Sequence, residues 1–182
     1  MKFTPTTLPG VLMIEPVVHE DERGYFYESF RLATLEETVG RPLRFVQDNQ
    51  SRSARNVLRG LHYQVRKPQA KLVRVLSGEV FDVAVDLRRD SHTFGQWIGT
   101  VLSAANRRQL WIPEGFAHGL LVLSDWAEVL YKVSDYYAPE FDRGVRWDDP
   151  AIGVQWPLDG PPTLSGKDRV APLLNEAEGY PG

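Results

Sequence analysis

The chain of 182 residues, 42% hydrophobic and 25% charged, has the length and composition of one soluble globular domain with a substantial core. Its formal net charge of -3 argues against a general nucleic-acid binder, which would carry a basic excess. Without any cysteine, disulfides, thiolate nucleophiles and cysteine-ligated metals are excluded, and a reducing, cytoplasmic setting is expected.

Near the start, Val11-Leu12-Met13-Ile14 is apolar but bracketed by Pro9 and by Glu15-Pro16. It is too short for a signal-peptide core or a membrane span, so no membrane association is expected. Leu32, Leu35 and Val39 recur at helical spacing with acidic residues between them, and Gly40 can close the turn as a left-handed cap. Residues 31–39 are therefore predicted to form a short helix laid over sheets. Most of the chain is otherwise written in short apolar or alternating runs divided by turn residues, the pattern of an all-β sandwich or barrel. Residues 72–76, Ser77-Gly78 and residues 79–85 predict a strand, a tight turn and a strand paired as a hairpin. Residues 109–112, Pro113-Glu114-Gly115 and residues 117–123 repeat that pattern, and residues 127–133 add a strand after Ser124-Asp125. Beyond Trp156 the richness in Pro and Gly predicts an irregular segment over 157–182, with at most a helical turn or two near 165–175. No repeat or linker divides residues 1–182, which are expected to form a single domain.

The stretch with most chemical content is Arg59-Gly60-Leu61-His62-Tyr63-Gln64, followed by Lys71. An imidazole accepts a proton near neutral pH, and a nearby cation stabilises an enolate. Strand alternation places His62 and Gln64 opposite Leu61 and Tyr63, groups His118 with Leu120 and Val122, and groups Tyr131 with Val129 and Val133. Should His62, Lys71, His118 and Tyr131 converge, they line a cavity between sheets. Taken singly, each has a plainer reading. His62 is a polar strand residue, Lys71 a solvated edge charge, and Tyr131 a half-buried strand aromatic. Asp168 is part of a helix cap starting at Ser165, and Arg52, Arg55 and Arg59 are surface charge. Metal chemistry is not expected. The chain has four histidines (His19, His62, His92, His118), and Gln64 stands where a common metal-binding β-barrel pattern has its second His. No carboxylate occurs within residues 65–69.

Together, a series of ordered blocks resembles the dTDP-4-dehydrorhamnose 3,5-epimerase family across roughly residues 1–172. The blocks include Asp21-Glu22-Arg23-Gly24-Tyr25-Phe26, Phe45-Val46-Gln47-Asp48-Asn49 and Leu58-Arg59-Gly60-Leu61-His62-Tyr63-Gln64. Further matches are Lys71-Leu72-Val73, residues 78–86, Pro113-Glu114-Gly115-Phe116-Ala117-His118-Gly119, Tyr131-Lys132, Asp135-Tyr136-Tyr137, residues 147–150 and Leu164-Ser165 with Lys167-Asp168.

The resemblance implies a cupin-type jelly-roll β-sandwich with short peripheral helices. It also implies a homodimer whose N-terminal strands reach the neighbouring subunit, with no metal or organic cofactor. The implied reaction inverts C3 and C5 of dTDP-4-dehydro-6-deoxy-D-glucose to give dTDP-4-dehydro-L-rhamnose, in dTDP-L-rhamnose biosynthesis. On the family pattern His62 is the base, and Asp168, or another inward carboxylate such as Asp82, orients its ring. Lys71 stabilises the enolate, and Tyr131 returns a proton from the opposite face. Arg23, Arg59 and Lys167 match diphosphate contacts, while Gln47, Asn49, Glu28 and Phe26 match nucleotide contacts. His118 matches a substrate contact and Tyr137 a stacking aromatic. Two positions depart from the family: His19 replaces a common Phe, and Asp142, matched to a substrate contact, stands where relatives often carry a longer side chain. Two other functions are consistent with the same residues. One is a monofunctional 3- or 5-epimerase or ketoisomerase of a related dTDP-deoxysugar; the other is a non-catalytic sugar-nucleotide-binding β-sandwich.

Overall fold

The computed structural model describes residues 1–180. In chain order its elements are β1 (Lys2–Pro5), β2 (Leu12–Glu15), β3 (Val18–Asp21), β4 (Gly24–Tyr27), α1 (Leu32–Val39), β5 (Gln47–Ala54) and β6 (Leu58–Gln64). Then come β7 (Lys71–Ser77), β8 (Glu79–Asp86), β9 (Trp97–Ser103), β10 (Gln109–Ile112), β11 (Phe116–Val122), β12 (Trp126–Val133), β13 (Asp142–Gly144) and α2 (Gly166–Arg169). A six-stranded sheet in the order β1-β2-β10-β7-β12-β5 faces a five-stranded sheet in the order β13-β6-β11-β8-β9, while β3 and β4 form a small sheet of their own. The architecture is the jelly-roll sandwich the resemblance implied.

The hairpin expected around Ser77-Gly78 is not formed. β7 lies in the six-stranded sheet and β8 in the five-stranded one, so Gly78 is a corner between layers. The three-residue connections β5 to β6, β10 to β11 and β11 to β12 change sheet as well. Alternation marks which face of a strand is apolar but not whether that face meets its neighbour edge to edge or across the sandwich. Here Val73 and Val75 of β7 pack on Val80 and Ala84 of β8 in one inter-sheet core. The corner needs a glycine: Gly78 has φ 75°, and a Cβ there would lie 2.1 Å from the Trp126 carbonyl oxygen.

Two further apolar layers cover the outer faces. Leu35 of α1 joins Ile14, Leu72 and Trp111 outside the six-stranded sheet. An eight-residue helix has little stability alone, so this burial, about 2 kcal/mol for a leucine, holds α1 in place. Gly40 closes it in the left-handed conformation, as the spacing predicted. Outside the five-stranded sheet, Ile152, Leu174, Ala177 and Tyr180 pack on Leu61, Tyr63 and Val83. The C-terminal segment is thus largely irregular, with α2 as its helical turn, and it acts as a lid over one sheet.

The corner and the helix cap differ in what a side chain would meet. Gly78→Ala is expected to cost more than about 2 kcal/mol, because a left-handed backbone and a blocked Cβ coincide there. Gly40→Ala, with nothing within 4 Å of its Cβ position, is expected to cost about 1 kcal/mol. Urea midpoints at unchanged m-value measure both.

Candidate active site

Along the inner faces of the sandwich the residue type changes in concert. β7 runs from Val75 and Val73 to Lys71, β12 from Val129 to Tyr131, and β11 from Val122 and Leu120 to His118. On β6 the sequence passes Gly60 and reaches His62 and Gln64. The valines and Leu120 of these runs fill the inter-sheet core. The polar ends line a cavity of about 390 Å³ with Gln47, Asn49 and Ser51 of β5.

His62 stands on the five-stranded wall, its Nε2 2.5 Å from Oδ1 of Asp168, which is 3% exposed. Asp168 also donates its backbone N–H to Ser165 Oγ at 3.1 Å. The capping reading and the ring-orienting reading are therefore both realised, one by its backbone and the other by its side chain. Burial would raise the Asp168 carboxyl, but hydrogen bonding and charge from His62, with bonds from Ser165 and the Gly60 backbone, hold it below the ordinary carboxylate range. A carboxylate so placed fixes one ring N–H and leaves the other nitrogen free to accept a proton.

His118 lies opposite His62 in the β6–β11 register and has its own partner. Its Nε2 is 2.9 and 3.1 Å from the oxygens of fully buried Asp82. Asp82 thus serves His118, and His62 is oriented by Asp168. A Cβ on Gly119 would sit 2.8 Å from the Arg59 carbonyl oxygen, so only glycine permits this approach of the two histidine-bearing strands.

Tyr131 comes from the opposite, six-stranded wall, its ring edge-on to His118 with centroids 6.3 Å apart. Burial raises its phenol above the ordinary value, with Arg59 opposing and Asp142 adding. Lys71, on the same wall, is buried and reaches across to donate to the His62 carbonyl oxygen at 3.4 Å. Burial pushes its ammonium down to about 8, against the attraction of Asp82 and Asp142.

At the rim, Asp142 joins two segments by binding Lys167 and accepting from Tyr137 Oη at 3.2 Å. Tyr137 N–H donates to Gln47 Oε1 at 3.0 Å, and Gln47 Nε2 to Asn49 Oδ1 at 2.8 Å. Arg59 lines the cavity too and donates to Ser53 Oγ at 3.0 Å. Of the fourteen residues singled out from sequence, Asp168 lies behind His62 and ten others line the cavity, namely His62, Lys71, Tyr131, Gln47, Asn49, Arg59, His118, Tyr137, Asp142 and Lys167.

The remaining three do not join them within one chain. Arg23 pairs with Asp21, Glu28 pairs with Arg31, and Phe26 is 72% exposed on β4. Sequence reasoning missed Ser51, Gln64 and Gln69. Ser51 was legible as the next alternate position after Gln47 and Asn49. Gln64 bonds the Lys67 and Tyr136 carbonyls and the Ala138 N–H, fixing the loop that carries Tyr137, and no sequence signal marks that. Among the described residues no group of three or more His, Asp or Glu could hold a metal ion, and no helix is long and apolar enough to cross a membrane.

Residues 5–176 match the dTDP-4-dehydrorhamnose 3,5-epimerase family. The chain belongs to that family. It is 56% identical over 181 residues to the dTDP-4-dehydrorhamnose 3,5-epimerase of Pseudomonas aeruginosa, covering 100% of both chains. To the enzyme of that name from Salmonella typhimurium it is 57% identical over 173 residues, 94% of each. A solved structure of a 3,5-epimerase from Legionella pneumophila, in complex with dTDP-4-keto-L-rhamnose, superposes with a TM-score of 0.95 at 52% identity, covering 97% of this chain and 94% of that one.

In this epimerase fold the buried ammonium gives a pH signature. Lys71 has a folded pKa of about 8 against an ordinary 10.5, so between those values the unfolded chain binds the extra proton. Stability from this group therefore rises with pH across that window. The unfolding free energy of the parent chain relative to Lys71→Met is expected to move in the parent's favour from pH 8 to pH 10.5, measured by urea titration at both ends.

Proposed function

We propose that the chain inverts C3 and C5 of dTDP-4-dehydro-6-deoxy-D-glucose, giving dTDP-4-dehydro-L-rhamnose on the route to dTDP-L-rhamnose. The observation that carries this reading is one cavity with a carboxylate-paired imidazole on one wall, a phenol on the other, and an ammonium reaching between them.

The 4-keto group acidifies the hydrogens on both neighbouring carbons, because the carbanion left behind delocalises onto oxygen. Inversion requires removal of hydrogen on one face of the ring and return on the other. His62, held by Asp168, is the base. Tyr131 is the acid, its phenol kept protonated by the burial that raises its pKa. General acid–base groups so placed contribute on the order of 10²–10⁴ in rate. Lys71 stabilises the enolate oxygen as an ammonium, so turnover falls as pH rises through about 8. His118, held by Asp82, contacts the sugar.

Arg59 and Lys167 bind the diphosphate, which displaces Asp142 from Lys167, and Gln47, Asn49 and Tyr137 hold the nucleotide end. Arg23, Phe26 and Glu28 act in a homodimer, where the β3–β4 hairpin of one protomer serves the site of its partner. The outward exposure of Phe26 supports this arrangement. The enzyme works in the cytoplasm.

Turnover in heavy water, read by proton NMR, tests the reaction: deuterium is expected at both C3 and C5, and label at a single carbon would sink the bifunctional reading. His62→Ala is expected to abolish both exchange and turnover while dTDP still binds. Tyr131→Phe is expected to keep C–H exchange yet lose product by about 10²-fold or more; product at the parental rate would remove Tyr131 from its role.

A further inference from the structure

The β3–β4 hairpin is hydrogen-bonded to neither large sheet. Its register pairs Glu20 with Tyr25 and Val18 with Tyr27 on one face, and His19 with Phe26 on the other. The first of these faces is gripped by Arg107, whose guanidinium carbon lies 4.2 Å from the Tyr25 ring centroid and whose Nη2 is 3.4 Å from Glu20.

Arg107 is an unusual residue in this chain on two counts. It sits in the left-handed backbone region at φ 55°, where glycine or asparagine would be less strained. Its Nε is buried without a hydrogen-bond partner. The turn imposes that conformation: Arg107 N–H donates to the Ser103 carbonyl, and Asn106 Oδ1 accepts from the N–H groups of Ser103 and Arg108. None of these turn bonds uses the Arg107 side chain. Backbone strain combined with an unsatisfied buried donor marks a position retained for something other than the turn. What the side chain does is hold the Tyr25 face of the hairpin against the 103–108 turn, and alternation then puts Phe26 on the opposite face.

We propose that Arg107 is a positioning residue that fixes the hairpin of its own chain in the pose at which Phe26 and Arg23 enter the cavity of a second copy. This rests on the reading that the hairpin serves its partner's site, and the two ideas separate experimentally. Arg107→Ala is expected to raise KM for the dTDP-sugar about 10-fold with kcat changed less than about threefold, since nucleotide binding is affected and proton transfer is not. Arg107→Lys recovers part of that rise. Glu20→Gln, an exposed change on the hairpin side, shifts KM the same way by less, and it serves if Arg107→Ala folds poorly.

Co-expression with two tags then isolates a hybrid of one Arg107→Ala protomer and one His62→Ala protomer. Its single competent site combines an intact His62 with a hairpin held by an intact Arg107, so the parental KM is expected. A parallel hybrid of Phe26→Ala with His62→Ala is expected to behave alike. Unchanged KM in both Arg107→Ala and Glu20→Gln overturns the role of Arg107. So does a first hybrid that keeps the raised KM while the second recovers, and that result leaves the shared-site reading standing. Failure of both hybrids to recover overturns the shared-site reading and this inference with it.

Discussion

An imidazole held at the polar end of a β-sandwich needs a fixed acceptor for its N–H, and this chain meets that demand twice, for buried His118 and for part-exposed His62. His62 has Asp168 and His118 has Asp82, each carboxylate almost wholly out of solvent. The rest of the site depends on these two pairs. Because the carboxylates are anchored, one by a helix cap and the other within a central strand, the rings are held without relying on substrate. The cavity can then be open and polar while the sandwich around it stays packed. Lys71 completes the arrangement as the cation between the walls. Its burial is disfavoured in the free enzyme, and an enolate oxygen placed beside it would relieve that penalty.

The sandwich makes this geometry easy to build. Two opposed sheets supply two opposed walls, so the imidazole on β6 and the phenol on β12 enter the cavity from different sides. On β7, β11 and β12 apolar core positions give way to ionisable side chains, with Tyr131 beside Val73 and Lys71 beside Val133 in the register, so the apolar core and the site share strands. The core fixes the spacing between sheets, and the spacing fixes how far the phenol and the imidazole stand apart. Packing and site geometry are therefore coupled through Val73, Val75 and Val129, none of which lines the cavity.

Much of this was legible in the chain itself. Period-two alternation put His118 on a face with Leu120 and Val122 and Tyr131 on a face with Val129 and Val133, leaving their convergence open, and the helical spacing ending at Gly40 located α1 correctly. What alternation left undetermined was pairing. Residues 72–76 and 79–85 have the signature of a hairpin, but a corner between sheets at Gly78 needs the same residues as a tight turn. The partner of His62 was likewise ambiguous between Asp168 and Asp82, since a carboxylate from the C-terminal segment and one from β8 are equally inward in sequence. Gln64 went unseen because it acts through backbone groups of a distant loop. Arg23, Phe26 and Glu28 were legible only through family resemblance, and no single chain brings them to the cavity.

The corner crossings and the C-terminal lid have a consequence for biogenesis. Apart from β1–β2 and β8–β9, neighbours within each sheet come from distant parts of the chain, with β2 beside β10 and β6 beside β13, so neither layer closes until its later strands have been made. Asp168 leaves the ribosome more than a hundred residues after His62. A nascent chain therefore holds the His62 imidazole without this acceptor until the segment carrying Asp168 has been made, and the pair forms only once that segment folds back over β6.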